Sequence, residues 1–387
     1  MAGSITPKQI KKTNRQLIYD YIYKNRKVSQ QDITYALRLS RPTVASNLTE
    51  LEEDGLIYKN GQLDSDQIGR KAVAYSITPD YRIAIGVEIM SDVVKIIAID
   101  LYGKKIYRVV LEMPYQNQAS YYEKVSGAVL EFIEDLEVSK DKILGIGFSM
   151  QGLVSADGGT IVYGKILGCT GLKIDVFSSN LPYPCCFVHD PDAAARSELW
   201  SAPELTDAIY LSLSIHLGGS MIINRNIVTG KHGHTATFEH IQARQQGELC
   251  YCGRRGCWET LCSMHALLGN EDPTAFFEKV RSGAPEQVKR WHTYLKDLSG
   301  LIGMLSLVND VDFILGGHLA KYFTQADIQF MYDELRRNCP FEDRDDYILI
   351  SKMPSHNITI GAALPYICSF LENIGPRTEN APADPVQ

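Results

Sequence analysis

The sequence predicts an α/β protein in two parts, a small winged helix-turn-helix module followed by a larger body with mixed sheets. Three observations predict it. Three short helical patterns and a strand pair occupy the first 77 or so residues. That stretch is basic in an otherwise acidic chain. From Ile83 onward, hairpin-joined strands alternate with βα units.

The 387 residues suit two or three domains of about 100–200 residues each. With 45% hydrophobic and 22% charged residues, the chain has the apolar material for a real core. No apolar run approaches the ~20 residues that cross a bilayer, and the first residues contain no apolar segment of a secretory signal. The sequence therefore predicts a cytoplasmic protein with no membrane partner. The nine cysteines agree: they are odd in number, Cys185 and Cys186 are adjacent, and three fall within 250–257.

The first helix is read over 14–24, with Leu17, Ile18, Tyr21 and Ile22 on one face. Ser29 caps a second helix, with Asp32 three residues on and Ile33, Ala36 and Leu37 turned inward. Ser40 caps a third, Pro42 fits its first turn, and Val44, Leu48 and Leu51 form its apolar stripe up to Gly55. Leu56-Ile57-Tyr58 and Val73 to Ile77 read as the strands of a wing. Arg41, Thr43, Ser46, Asn47 and Glu50 are the positions left exposed on the third helix, a polar set suited to base edges and phosphates. Arg70 and Lys71 form a basic wing tip for a phosphate or minor groove. The net charge of −7 excludes general coating of nucleic acid, but residues 8–49 carry nine basic and two acidic side chains. A helical bundle for protein contacts is the alternative; charge, caps and wing together favour double-stranded DNA.

In the body, strands are expected at Ile83–Ile89, Val93–Leu101, Ile106–Leu111, Leu144–Phe148, Cys186–His189, Ala208–Leu213 and Phe313–Gly317, with a helix at 119–137. Cys250, Cys252 and Cys257, in CYCGRRGC, with His240 ten residues upstream, supply a closed shell of three thiolates and one imidazole. That donor set suits structural Zn²⁺ with no open position for an activated water. Its task would be to orient Glu239, His240 and Glu259. His189-Asp190-Pro191-Asp192 stands where a strand runs into a helix. Asp190 suits a hydrogen bond to a ligand hydroxyl or a general base, and Asp-Pro-Asp suits a helix N-cap equally well. Leu217-Gly218-Gly219-Ser220 reads as a hairpin turn more readily than as a phosphate cradle.

In this order the motifs resemble the ROK family (repressor, open reading frame, kinase). They are most similar to its transcriptional branch, which includes the xylose and N-acetylglucosamine repressors. The resemblance spans about residues 10–375 and is most specific at His240 and CYCGRRGCWE, which ends at Glu259. It implies a two-lobed, actin-like (ribonuclease H-like) sugar-kinase fold. The corresponding boundaries are 1–80 for the DNA-binding module, 81–188 plus 359–376 for one lobe, 189–358 for the other, and a disordered tail over 377–387. It implies a carbohydrate ligand between the lobes, touched by His189, Asp190, Thr237, His240 and Glu259, and a homodimer or tetramer.

The departures are informative. The kinases' DxGGTK loop corresponds to Glu88-Ile89-Met90-Ser91-Asp92-Val93 here, and GTGxGxG to Ser214 through Ser220. Without those glycines the backbone has no way to wrap ATP phosphates, so no ATP and no catalytic residue are expected. The family's GEIGH reads Ala236-Thr237-Phe238-Glu239-His240, which alters the sugar pocket. The sequence thus predicts a sugar-responsive regulator, a repressor of carbohydrate genes. The alternatives are an active sugar kinase and a ligand-independent DNA-binding protein with a vestigial sugar site.

Overall fold

The computed structural model describes residues 6–63, 72–338, 345–353 and 356–374. The wing tip with Arg70 and Lys71, and the tail, lie outside these residues. In the N-terminal module, α1 (Pro7–Asn25) is followed by β1 (Val28–Ser29), α2 (Gln30–Leu37), α3 (Arg41–Glu53), β2 (Ile57–Gln62) and β3 (Val73–Ile77). The strands form a small antiparallel sheet in the order β1-β3-β2. Both serine caps form: Ser29 in a reciprocal box with Asp32, and Ser40 accepting from the Thr43 amide. Gly55 takes the positive φ that ends α3.

Two expectations for this module are corrected. Helix α1 begins at Pro7, capped by Thr6, and its buried apolar residues are Ile18, Tyr19 and Ile22, while Leu17 is exposed. Ala36 is exposed as well. The face shifts because α1 packs on the body in addition to its own bundle. The Tyr23 ring lies 5.0 Å from that of Tyr102, tilted by 31°, and its hydroxyl donates to the Leu101 carbonyl at 3.0 Å. Arg26 lies 3.5 Å over the Tyr102 ring.

The body has two five-stranded sheets of one topology. In the first, β4 (Ile83–Ile89), β5 (Val93–Ile99) and β6 (Lys105–Glu112) form an antiparallel meander. Strands β7 (Ile143–Met150) and β10 (Cys185–His189) then add in parallel on the β4 side. Helix α4 (Ala119–Asp135) covers this sheet, and a ribbon of β8 (Leu153–Val154) and β9 (Ile161–Tyr163) and a short helix α5 (Asp175–Ser178) precede β10. Helix α6 (Asp190–Ser201) leads into the second lobe. There β11 (Ala208–Leu213), β12 (Leu217–Ile223) and β13 (Asn226–Ile227) form the meander. Strands β14 (Asp312–Gly316) and β15 (Ile348–Ile350) add in parallel beside β11. Its helices are α7 (Glu259–Cys262), α8 (Met264–Leu268), α9 (Pro273–Arg281), α10 (Pro285–Ser306) and α11 (Gln325–Asn338). They enclose a core centred on the fully buried Trp291 and Phe276. This repeated sheet is the actin-like architecture the motifs imply.

Helix α12 (Asn357–Leu371) returns to the first sheet. Gly86 and Gly147 are paired across β4 and β7 beneath it. A Cβ on either would lie 1.8 Å from a carbonyl oxygen of α12, at Thr359 and Ala362 respectively. Gly361 of α12 meets the Ala193 carbonyl of α6 just as closely, at 1.7 Å from its hypothetical Cβ. Gly147→Ala must push a helix off the sheet, at a cost of about 3 kcal/mol. A melting temperature lower by roughly 6–12 °C is expected; a variant that melts with wild type would contradict this packing.

Candidate functional site

The exposed face of α3 follows from its cap. Ser40 fixes the first turn, so Arg41 and Ser46 point to solvent and Thr43 is half-buried, its hydroxyl 2.8 Å from that of Ser40. Ser46 donates to Glu50, which also pairs with Lys11 at 2.8 Å. Asn47 departs from expectation. It is 4% exposed, its Nδ2 donates to the Thr43 carbonyl one turn back at 2.8 Å, and its Oδ1 is buried without a partner. A polar residue one turn beyond Thr43 satisfies the backbone rather than facing outward. Tyr35, 88% exposed, and Arg38 line an open groove with Arg41; the helical pattern gave no reason to single them out. Arg41→Ala is expected to weaken operator binding by about 1–3 kcal/mol without changing the melting temperature. Asn47→Ala should leave operator affinity near wild type. Equal losses in a fluorescence-anisotropy titration would put Asn47 on the DNA.

The second site is a cleft between the lobes at the carboxyl ends of β7, β10 and β11, where open α/β sheets present ligands. Gln151, Gly152 and Leu153 line it from one lobe, with Tyr163 and Lys165. His189 and Asp190 line it at the start of α6, and Ser212, Ser214, His216, Glu239, His240 and Tyr251 from the other lobe. Asp190 is the first residue of α6, where the helix dipole favours a carboxylate. The N-cap alternative fails, because the cap residue is His189 and no side chain caps this helix. Burial raises Asp190 above the usual carboxylate range, to about 6, against the pull of His189. Burial depresses His189, but Asp192 at 3.7 Å and the charges of Asp190 and Glu239 outweigh it and hold the imidazole at about 9. Asp192 in turn accepts from Ser220 at 2.6 Å, which ties α6 to β12.

Two of the five ligand residues implied by resemblance stand off the cleft. The Thr237 hydroxyl donates to the His234 carbonyl at 3.2 Å. The 3₁₀ turn after it, Phe238–His240, sends Phe238 into the core and brings Glu239 and His240 to the cleft. Glu259 is buried behind the wall, bonded at 2.8 Å to His216 Nδ1 and at 2.8 Å to the Leu217 amide; it positions His216, which does line the cleft. The glycines read as a turn lie inside β12, and the turn itself is at Ser214–His216. A Cβ on Gly218 would sit 2.7 Å from Pro191, and one on Gly219 2.4 Å from Phe238. These glycines serve close packing, which a Gly-Gly pair in the sequence does not distinguish from a turn. At the position of the family's first phosphate loop the β4–β5 turn is closed, with the Met90 amide donating to the Val93 carbonyl at 3.0 Å. Glu88 there is 5% exposed and accepts from Lys95 at 3.2 Å and from Thr359 at 2.8 Å.

His240, Cys250, Cys252 and Cys257 place one donor atom each within 4.8 Å of one another. The Cys252–Cys257 Sγ separation and the Cys250 Sγ–His240 Nδ1 separation are both 3.7 Å. A tetrahedron with ~2.3 Å metal–sulfur bonds has edges of about 3.7 Å, so this donor set fits a four-coordinate ion as it stands. Gly256 makes the turn possible: a Cβ there would lie 1.7 Å from the Arg244 carbonyl. Nδ1 of His240 faces the thiols, and Nε2 lies 3.8 Å from Glu239 on the cleft side. A metal on Nδ1 would leave Nε2 protonated and aimed at a ligand.

Comparison with known proteins gives one consistent picture. The ROK family model matches residues 84–363, and a model described as winged helix-turn-helix DNA-binding matches residues 12–58. The xylose repressor of Bacillus subtilis is 28% identical over 269 residues, 67% of this chain and 68% of that one. A crystal structure of a ROK family transcriptional regulator, homologous to the Mlc protein of Escherichia coli, superposes with a TM-score of 0.75 at 17% identity, covering 96% of this chain and 99% of the other. A ROK family glucokinase from Streptomyces griseus, solved with glucose and AMPPNP, gives 0.63 at 21% identity, covering 73% of this chain and 98% of that one.

Proposed function

The chain belongs to the ROK family, and from that premise we propose that it is a sugar-responsive repressor of carbohydrate genes that acts in the cytoplasm as a homodimer or tetramer. Two winged-helix modules of an assembly would occupy successive major-groove faces of an operator. The cleft would take a carbohydrate, with Asp190 and His189 accepting and donating to its hydroxyls and His240 adding its Nε2 proton. Zn²⁺ held by His240, Cys250, Cys252 and Cys257 would fix that imidazole, a structural role. Among the described residues, no helix is long and apolar enough to cross a membrane.

One observation carries this reading: the cleft is mechanically continuous with the DNA-binding module. Asp190 opens α6, α6 packs against α12 at backbone distance through Gly361, and the end of α12 grips α1. Gln16 of α1 donates to the Leu371 carbonyl at 2.7 Å and accepts from the Ile374 amide at 2.8 Å. One apolar core runs from Ile18 and Ile22 through Leu101 to Ile367 and Phe370. A ligand that shifts α6 therefore moves a rigid body to which the recognition helix is attached. The coupling would be its differential affinity for the two lobe arrangements.

A second reading, sugar kinase, draws on the fold shared with the glucokinase and on a cleft carboxylate of raised pKa at Asp190. The closed β4–β5 turn and the occupied Glu88 weigh against it. Full-length protein titrated into promoter fragments, with and without D-xylose, D-glucose and N-acetylglucosamine, tests the proposal. Selective binding relieved or strengthened by one sugar supports it. Sugar-dependent ATP turnover without selective DNA binding would replace it by the kinase.

A further inference from the structure

The proposed function leaves one cleft group unused. Glu239 is 6% exposed and lines the cleft, yet its Oε2 is buried with no hydrogen-bond partner among the described residues. A buried carboxyl oxygen with no partner is a costly defect that a ligand in the cleft would relieve. Its Oε1 lies 3.8 Å from His240 Nε2, beyond hydrogen-bond reach.

The surrounding charges say what is missing. Asp190 lies in the same cleft, and Glu259 stands just behind its wall. His189 is placed between Asp190 and Asp192, at 3.8 and 3.7 Å, so those two carboxylates take most of its charge and Glu239 feels it only at longer range. His216 is taken by Glu259 at 2.8 Å. Lys165 is at the exposed rim. Among the described residues no side chain donates to Glu239 within hydrogen-bond distance, and a neutral sugar hydroxyl would supply a donor without supplying charge. Two tyrosines, Tyr163 and Tyr251, complete the wall and suit a cation better than an anion.

We propose that Glu239 touches the ligand directly and that the cleft takes an amino sugar with a free, protonated amine, the ammonium pairing with Glu239 while Asp190 accepts from a hydroxyl. This rests on the reading of the cleft as a carbohydrate site and names the class of carbohydrate. It also accounts for the altered motif: the carboxylate that resemblance places at 237 is supplied two residues later, on the side of the 3₁₀ turn that faces the cleft.

Calorimetric titration of the full-length, zinc-loaded protein at pH 7 with D-glucosamine, D-galactosamine, D-glucose, D-xylose and N-acetylglucosamine tests it. At least one free amine should bind about tenfold or more tighter than its neutral counterpart, because a charge-assisted hydrogen bond is stronger than a neutral one. Glu239→Gln, one atom different, should abolish that preference while keeping zinc stoichiometric. Neutral sugars that bind as tightly as the amines, or an amine preference that survives in Glu239→Gln, would overturn the ammonium pairing and leave the carbohydrate site standing. No binding by any of the five sugars to folded, zinc-loaded protein would overturn both.

Discussion

If the proposed zinc is bound, replacing Cys252 by serine is expected to empty its site and to loosen residues 240–258 in one step. Beyond the metal the segment is held by few ties, chief among them the Arg244–Asp297 ion pair to α10 at 2.7 Å and the Gln242 side-chain amide to the Arg255 carbonyl at 3.1 Å. Its backbone pairing is limited to isolated bridges, Gln242 with Cys257 and Leu249 with Arg255, and to tight turns such as Gly253 to the Cys250 carbonyl. Leu249 is 62% exposed and Arg254 and Arg255 face solvent, so apolar burial contributes little beyond Cys250, Cys257 and Trp258. A serine hydroxyl does not ionise at neutral pH and is a poor replacement for a thiolate, which leaves three donors where a closed shell needs four. Structural zinc contributes about 10–16 kcal/mol of apparent binding free energy in small zinc-finger peptides, so its loss outweighs any local hydrogen bond here. Three results are expected together: metal content falling from one per chain to near zero, new protease cleavage within 240–258, and loss of any carbohydrate effect on DNA binding. The N-terminal module has its own caps and shares its core with the other lobe, so operator binding itself should persist. A Cys252→Ser protein that retains stoichiometric zinc would show that the four donors are not the shell.

The second large effect is at Asp190. Asp190→Asn keeps the shape and removes the charge. Carboxylate hydrogen bonds to ligand hydroxyls contribute about 1.5–3 kcal/mol each, so sugar affinity should fall by at least roughly tenfold. The fold should not suffer. Asp190 caps nothing, His189 keeps Asp192, and the helix loses only a dipole interaction of about 0.3–1 kcal/mol. The variant is therefore expected to bind operator as wild type does and to ignore sugar, measured by anisotropy in the presence of the effective sugar. A variant that still responds at wild-type sugar concentrations would remove Asp190 from the ligand site.

Much of this was legible in the sequence because it is local. Ser29 with Asp32, and Ser40 with Pro42, signal helix starts within four residues, and the strands from Ile83 onward follow runs rich in apolar residues. The donor set CYCGRRGC with His240 was legible for the same reason, since a metal shell needs a fixed spacing of donors. The failures come from contacts across space or from the local direction in which one turn sends a side chain. Tyr19 rather than Leu17 is buried because α1 meets Tyr102 and α12, which no pattern within α1 encodes. Asn47 looked exposed because it is polar, but a carbonyl one turn back was available to it. Gly218 and Gly219 looked like a turn because the packing of Pro191 and Phe238 against them is long-range. Thr237 and Glu239 exchanged roles because one 3₁₀ turn decides which side chain faces the cleft. The family pattern names positions, and the turn decides directions.

Cleft and recognition helices, as proposed, form one linked system. Linkage makes this measurable from either end: the factor by which a sugar changes operator affinity must equal the factor by which operator changes sugar affinity. The direct test is the sugar dissociation constant of the full-length protein, measured by calorimetry with and without saturating operator duplex. A change of about 5- to 150-fold, matched by the reciprocal change in operator affinity, is predicted. Sugar affinity that is identical with and without operator would contradict the proposal, because the two sites would then share a chain without sharing an equilibrium.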